Sequence, residues 1–227
     1  MDDLQANIQG VRARIAAAAG RAGRRTEEVT LVAVSKTVPP ERVDEALALG
    51  ITTFGESKVQ EAKAKIPLVS SRARWHMVGH LQTNKARDAV ALFELIHSVD
   101  SLKLAAELNQ WAPRAGRSLP VLLEVNVAGE ASKFGIKPED LTAALRQIVN
   151  LSRLEVRGLM TLAPFTENAE AARPHFRRLR ELRDSLGLRE LSMGMSHDFE
   201  VAIQEGATIV RIGTALFGER KHNEPEK

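Results

Sequence analysis

The chain has 227 residues, 44% of them hydrophobic, and no cysteine, which excludes disulfides, thiolate metal sites and a cysteine nucleophile. Its 32 basic and 29 acidic residues leave a formal charge of +3. The basic clusters at 21–25 and 173–183 fall on or beside alanine- or leucine-bearing helices, so solvated helix faces explain them better than a nucleic-acid stripe. Aromatic content of 4% without tyrosine leaves little for base stacking, and no apolar run approaches a membrane span. The acidic, polar start MDDLQANIQG is unlike a signal peptide, so the cytoplasm is the expected compartment.

Leu4, Ile8, Val11 and Ile15 recur at helical spacing and predict an amphipathic helix over 3–19, ended by Gly20 and Gly23. LVAVSK, residues 31–36, then reads as a buried strand leading into a serine and a lysine. Pro39 and Pro40 open the next helix. Lys36 therefore stands where a buried strand ends. Burial there would disfavour the ammonium and favour a free amine able to attack an aldehyde. Taken alone, the stretch fits better a lysine that snorkels into water; the remainder of the chain reverses that preference.

Further strands are predicted at 51–57, 74–78, 94–100, 121–127, 154–161, 188–194 and 207–213, with helical segments between them. Asp100 is the expected cap of the helix after strand four, Pro138 opens the one after strand five, and a single long helix spans 168–186. About eight strands alternating with helices imply a parallel sheet. The expected fold is α/β: one (β/α)8 barrel with an extra N-terminal helix, residues 1–220 forming a single domain and 221–227 a polar tail. An open doubly wound sheet is disfavoured because no G-x-G-x-x-G fingerprint follows the first strand.

In such a barrel, functional residues lie at the C-terminal ends of strands, and phosphate often binds in the loops after strands seven and eight. Lys36, Gly55, Glu56, Ser57, His80, Asn126, Thr161, Ser196, Arg211, Gly213 and Thr214 all fall at strand ends. The last two loops read MGMSHD and RIGTALFG. Gly194 and Gly213 would admit close backbone approach, and Ser196 and Thr214 offer hydroxyls before short helices. A ligand with a phosphate at one end and a carbonyl at the other is implied, either pyridoxal 5′-phosphate or an aldolase substrate. Arg211 on the last strand favours the former, since it could meet a pyridine nitrogen. His76 and His80 straddle a strand end without accompanying thiolates or carboxylates, so packing of His76 beside Trp75 is preferred to metal binding. Glu56 and Glu61 read as helix-start or solvated charges.

The segments VAVSKTVPPE, FGESKVQEA, WHMVGHLQTNKAR, HSVDSLKLA, VNVAGEASKFG, GLMTL and LSMGMSHDFEVAI…GATIVRIGTALFGER together resemble the pyridoxal phosphate homeostasis protein family, the YggS/PROSC type. The resemblance implies an alanine racemase N-terminal-domain-like barrel carrying pyridoxal 5′-phosphate on Lys36 as an internal aldimine. It assigns Arg211 to the ring nitrogen and Ser196, Gly213 and Thr214 to the phosphate. The family usually has asparagine where this chain has Ser57, near the cofactor's ring hydroxyl, and serine reaches less far. A role in vitamin B6 balance without catalytic turnover is implied, with apo-enzymes as transient recipients and no nucleic-acid or membrane partner. A racemase-like enzyme is the alternative; against it stand the missing tyrosine and the arginine at the ring nitrogen. No exposed apolar seam stands out, so a monomer is expected.

Overall fold

The computed structural model describes residues 3–112, 118–130 and 134–219; the tail expected at 221–227 lies outside them. Helix α1 (Leu4–Arg21) starts at Asp3, whose carboxylate accepts from the Ala6 N–H at 3.1 Å. Its predicted stripe of Leu4, Ile8, Val11 and Ile15 is buried. Gly20 falls within the helix, and the left-handed turn beyond it is made by Gly23 at φ 65°.

Eight strands follow: β1 (Thr30–Val34), β2 (Thr53–Glu56), β3 (Arg74–Met77), β4 (Leu95–Val99), β5 (Leu119–Glu124), β6 (Leu154–Met160), β7 (Glu190–Ser192) and β8 (Ile209–Ile212). Each pairs in parallel with the next, and β1 pairs with β8, so the sheet closes into a barrel. The connecting helices are α2 (Pro40–Ala48), α3 (Val59–Lys65), α4 (Ala86–Leu92), α5 (Leu102–Trp111), α6 (Leu141–Ile148), α7 (Arg173–Ser185), α8 (Phe199–Gln204) and α9 (Thr214–Phe217). Closure buries most of both faces of the strands, leaving exposed residues such as Thr30 and Arg74 at their N-terminal ends. One face packs under the helices in a large outer core. The other supplies a small inner cluster of Val32, Val78, Leu95, Leu122, Met160 and Ile209 along the axis. Helix α1 belongs to the outer layer. Asn7 Nδ2 donates to Leu216 O at 3.0 Å, and Arg24, just beyond the helix, donates to Ile203 O and Ala207 O at 3.0 and 2.8 Å.

Several local expectations change. The segment expected as one helix over 168–186 divides into a 3-10 turn (Ala169–Ala172) and α7, whose second residue is Pro174. Proline has no N–H for a continuous helical ladder but suits a first turn. Asp100 does not cap α5: Ser101 does, its Oγ accepting from the Leu104 N–H at 3.3 Å. Helix α6 begins at Leu141, after a turn that contains Pro138. The basic cluster on α7 is only partly a solvated face. Arg173, Arg177 and Arg180 converge on the buried Glu205 at 3.1–3.3 Å and tie α7 to the end of α8.

Candidate functional site

Alternation along each strand decides which residues meet the barrel axis. Val32 and Val34 belong to the inner cluster, and Lys36, two residues on, continues that row upward. Ile209 begins the inner row of β8, followed by Arg211 and Gly213; on β7 the inner row is Glu190 and Ser192, followed after a turn by Ser196. On β2 the inner position is Gly55, where a Cβ would come within 3.0 Å of Val32 and 3.1 Å of Val78; Ser57 is the next in line. All six predicted site residues, Lys36, Ser57, Ser196, Arg211, Gly213 and Thr214, line one cavity of about 780 Å³ at the C-terminal mouth. Its rim is apolar: Leu162, Phe165 and Met195 line it and are exposed.

The turn that carries Lys36 is braced from beneath. Ser35 is fully buried, and its Oγ donates to Glu56 Oε1 at 2.7 Å. Lys65 Nζ donates to Ser35 O, Glu56 Oε1 and Glu61 Oε1 at 2.6, 2.7 and 2.8 Å. Glu61 Oε1 also accepts the Thr37 N–H at 2.5 Å, holding Thr37 at a left-handed φ of 64°. That conformation is strained for a β-branched residue and persists only where its surroundings fix it. Glu56, read as a helix-start or solvated charge, is instead wholly buried. Burial pushes its carboxyl up, opposed chiefly by the Lys65 hydrogen bond. Its position at the end of a four-residue strand buried throughout put it beneath the mouth.

Arg211 forms the floor and is 3% exposed. One guanidinium nitrogen donates to Ser192 Oγ at 2.5 Å and another to Thr161 O at 2.9 Å. Burial draws its pKa down to about 10, opposed by Glu124 and Asp198, so it keeps its charge at neutral pH. Ser192 Oγ in turn meets His97 Nδ1 at 2.8 Å, and His97 Nε2 meets His76 Nδ1 at 3.0 Å. Arginine can only donate, so Ser192 Oγ accepts from Arg211, while the direction of the His97–Ser192 and His97–His76 bonds is set by the ring tautomers. Both rings are neutral. Burial, reinforced by Arg74 and Arg157, lowers His76 to about 4, and burial with His76 and Arg211 lowers His97 well below its ordinary value. His76 and Trp75 occupy opposite faces: Trp75 packs on Phe54 at 5.5 Å between ring centres, while His76 turns to the axis. His76 thus packs on the axial side, its ring centre 5.1 Å from that of His97.

The β7 and β8 loops face one another across the cavity's other side. Ser196 Oγ accepts the Ala215 N–H at 3.2 Å, linking them. Among the described residues, the N–H groups of Ser196, Gly213 and Thr214 have no acceptor. Hydroxyls and unengaged N–H groups suit an anionic oxygen, so the residues present fit a phosphate group. Helices α8 and α9 have six and four residues, too few for a large macrodipole, so these local donors carry the fit. Gly194 serves packing rather than ligand approach: at φ 92° its Cβ would lie 2.6 Å from that of Ala202.

Residues 2–221 match the family model of the alanine racemase N-terminal domain. The chain is 48% identical over 228 residues to the pyridoxal phosphate homeostasis protein of Pseudomonas aeruginosa, covering 99% of each. It is 48% identical over 216 residues to that of Aquifex aeolicus, covering 92% of this chain and 95% of the relative. The chain belongs to the pyridoxal phosphate homeostasis protein family. A solved structure of PipY from Synechococcus elongatus, with PLP bound, superposes at a TM-score of 0.84 and 38% identity, covering 95% of this chain and 100% of that one. Membership agrees with the barrel and with the recognition drawn from the sequence. What sequence reasoning missed in this family member is the support: Lys65, His97, Ser192 and Glu124. Period-two counting would have found Ser192 from Arg211's layer. His97 was hidden by a bulge, since β4 advances three residues from Ile96 to Val99 while β5 advances two.

Proposed function

We propose that the protein binds pyridoxal 5′-phosphate in the axial cavity and holds it for release in vitamin B6 balance, without turnover of its own. The observation that carries this reading is the convergence of Lys36, Arg211, Ser196, Gly213 and Thr214 on one cavity. Lys36 would hold the aldehyde end. Ser196 and Thr214, with the backbone N–H groups of their loops, would hold the phosphate, and Arg211 would face the ring nitrogen. Ser57 would approach the ring hydroxyl. The cofactor supplies an aldehyde that amines take up reversibly and a ring that can withdraw electrons. The charged Arg211 has only hydrogens to offer a ring nitrogen and does not protonate it, which weakens electron withdrawal. That choice, in a chain without tyrosine, supports holding over proton-exchange chemistry. The open, apolar-rimmed mouth supports transfer to apo-enzymes that need the cofactor.

The test is reconstitution. Cofactor-treated protein should show a visible absorbance band, and borohydride should fix a pyridoxyl group on Lys36, both lost in Lys36→Ala. A reduced adduct solely on another lysine would refute the assignment. Holo-protein should activate an apo-enzyme, whereas the borohydride-reduced form should not. Repeated exchange of amino-acid α-protons in deuterated water, without cofactor delivery, would establish the racemase-like alternative.

A further inference from the structure

A second recess opens beside the cofactor cavity at the same mouth. It measures about 150 Å³ and is lined by Val78, His80, Glu124, Asn126, Phe134 and Leu162, among others. Val78 and Leu162 line both spaces, so the two share a wall. Glu124 ends β5 on the inward face. It is only 5% exposed, and its Oε2 is buried with no hydrogen-bond partner among the described residues. A buried carboxylate oxygen left in this state is costly unless something occupies the space before it.

The neighbouring groups indicate what fits. His80 Nδ1 lies 3.2 Å from Asp100 Oδ2, so that nitrogen is engaged by a carboxylate and a second acidic group stands behind the recess. Phe134 stacks on the His80 ring at 3.5 Å between centres. Asn126 Nδ2 is committed to Glu130 O at 2.8 Å. Acceptors and an aromatic neighbour suit a cation and repel an anion. No group of three or more His, Asp or Glu side chains among the described residues is arranged to hold a metal ion. The volume equals about five water molecules, enough for an organic ion of a few heavy atoms.

We propose that this recess is a binding subsite for small primary ammonium ions, with the Glu124 carboxylate as their counter-ion. Its placement deepens the carrier reading and rests on it, since an amine held here stands next to the cavity assigned to the aldehyde. An ammonium must lose a proton before its nitrogen can act as a nucleophile. One proton passes from R–NH3+ to the Glu124 carboxylate, giving R–NH2 and the carboxylic acid, with no other reactant required. Burial, reinforced by Asp100 against Arg211, lifts the Glu124 carboxyl to about 7, consistent with a group that can take that proton.

Ethylammonium chloride titrated into cofactor-free protein at pH 8 tests the subsite by calorimetry. Wild type should bind it saturably, one per chain. Glu124→Gln keeps the side chain's shape and should bind about tenfold to hundredfold more weakly. In wild type, the carbon-13 resonance of the Glu124 carboxyl should move with the same saturation curve, a readout independent of how the variant folds. A non-saturating response in wild type, an unmoved Glu124 resonance, or equal affinity in the variant would overturn the proposal. The titration contains no pyridoxal phosphate. Failure here leaves cofactor uptake untouched, and failure of uptake with ethylammonium bound would refute the carrier reading instead.

Discussion

Replacing Lys65 by methionine retains most of the side chain's bulk and deletes its charge. In the native protein Lys65 is 6% exposed, and its Nζ lies 2.7 Å from an oxygen of Glu56, which is 0% exposed. The other Glu56 oxygen has no hydrogen-bond partner among the described residues. In Lys65→Met, Glu56 retains only the Ser35 hydroxyl as a donor. Removing one partner of a buried ion pair costs about 3–5 kcal/mol, because the remaining charge stays buried. At about 2–4 °C per kcal/mol for a domain of this size, the unfolding midpoint should fall by about 6–20 °C. The loss has a pH signature. Burial already holds the Glu56 carboxyl above its ordinary value, with Lys65 the chief opposing influence, so the variant's carboxyl should rise further. A group whose folded pKa is raised contributes stability that is present below the unfolded value, about 4.3, and is lost as pH rises through the folded value. The variant's deficit should therefore be largest at pH 7–8 and shrink as pH falls and Glu56 takes up its proton. Urea unfolding as a function of pH measures it, and adding Glu56→Gln to the variant should recover part of the loss at pH 7. A deficit below about 1 kcal/mol at neutral pH, or one unchanged at pH 5, would refute the bracing role.

The double variant Ser196→Ala, Thr214→Ala removes two hydrogen bonds to a charged oxygen, each about 1.5–3 kcal/mol, and should weaken pyridoxal phosphate binding by roughly two to four orders of magnitude. Pyridoxal without the phosphate should be nearly indifferent; equal weakening of both in equilibrium dialysis would indicate a damaged fold. Ser192→Ala leaves Arg211 and His97 each short of a buried partner and should cost about 1–3 kcal/mol of stability by urea unfolding; an unchanged midpoint would contradict the network. Nitrogen-15 titration should show His76 neutral down to about pH 4. Since its folded pKa lies below the unfolded value, stability from its neutral state should be lost as pH falls from about 6.5 toward 4. A His76 midpoint near 6.5 would show that it is solvated.

The barrel was legible because its signals are local and repeated. Buried valine-rich runs, proline at α2 and helical spacing in α1 each depend on a few neighbouring residues. The site residues were legible for a geometric reason: strand ends in a closed barrel converge at one mouth, so Lys36 and Arg211 could be placed together without knowing any distance. What supports them was not. Lys65 sits at the end of α3, far in sequence from Ser35, and only the fold brings it beneath that residue. The His76–His97–Ser192 chain joins three strands and depends on a bulge in β4 that no local pattern announces. The cap of α5 was misplaced by one residue because Asp100 and Ser101 are both good caps; Asp100 is engaged by His80 and by the Ser101 hydroxyl instead.

The two sides of the cavity are built to different standards, and the contrast bears on release. Below the mouth, buried groups brace Lys36's turn and Arg211: Ser35, Glu56 and Lys65 on one side, joined by the half-buried Glu61, and Ser192 and Thr161 on the other, with His97 behind Ser192. Buried hydrogen bonds of this kind fix geometry before a ligand arrives and lower the ordering cost of binding. Above the mouth, Leu162, Phe165 and Met195 are exposed, and the ring of Phe165 lies 5.6 Å from that of His197 between centres. In the carrier reading, the preformed floor accounts for affinity and the exposed rim for exchange, since among the described residues no packed element must be displaced for the cofactor to leave. An enzyme that carries a reaction through several proton transfers gains from excluding water above its reacting atoms. This mouth has no such cover among the described residues, and the ammonium recess opens at the same level, where an incoming amine could reach it from solvent.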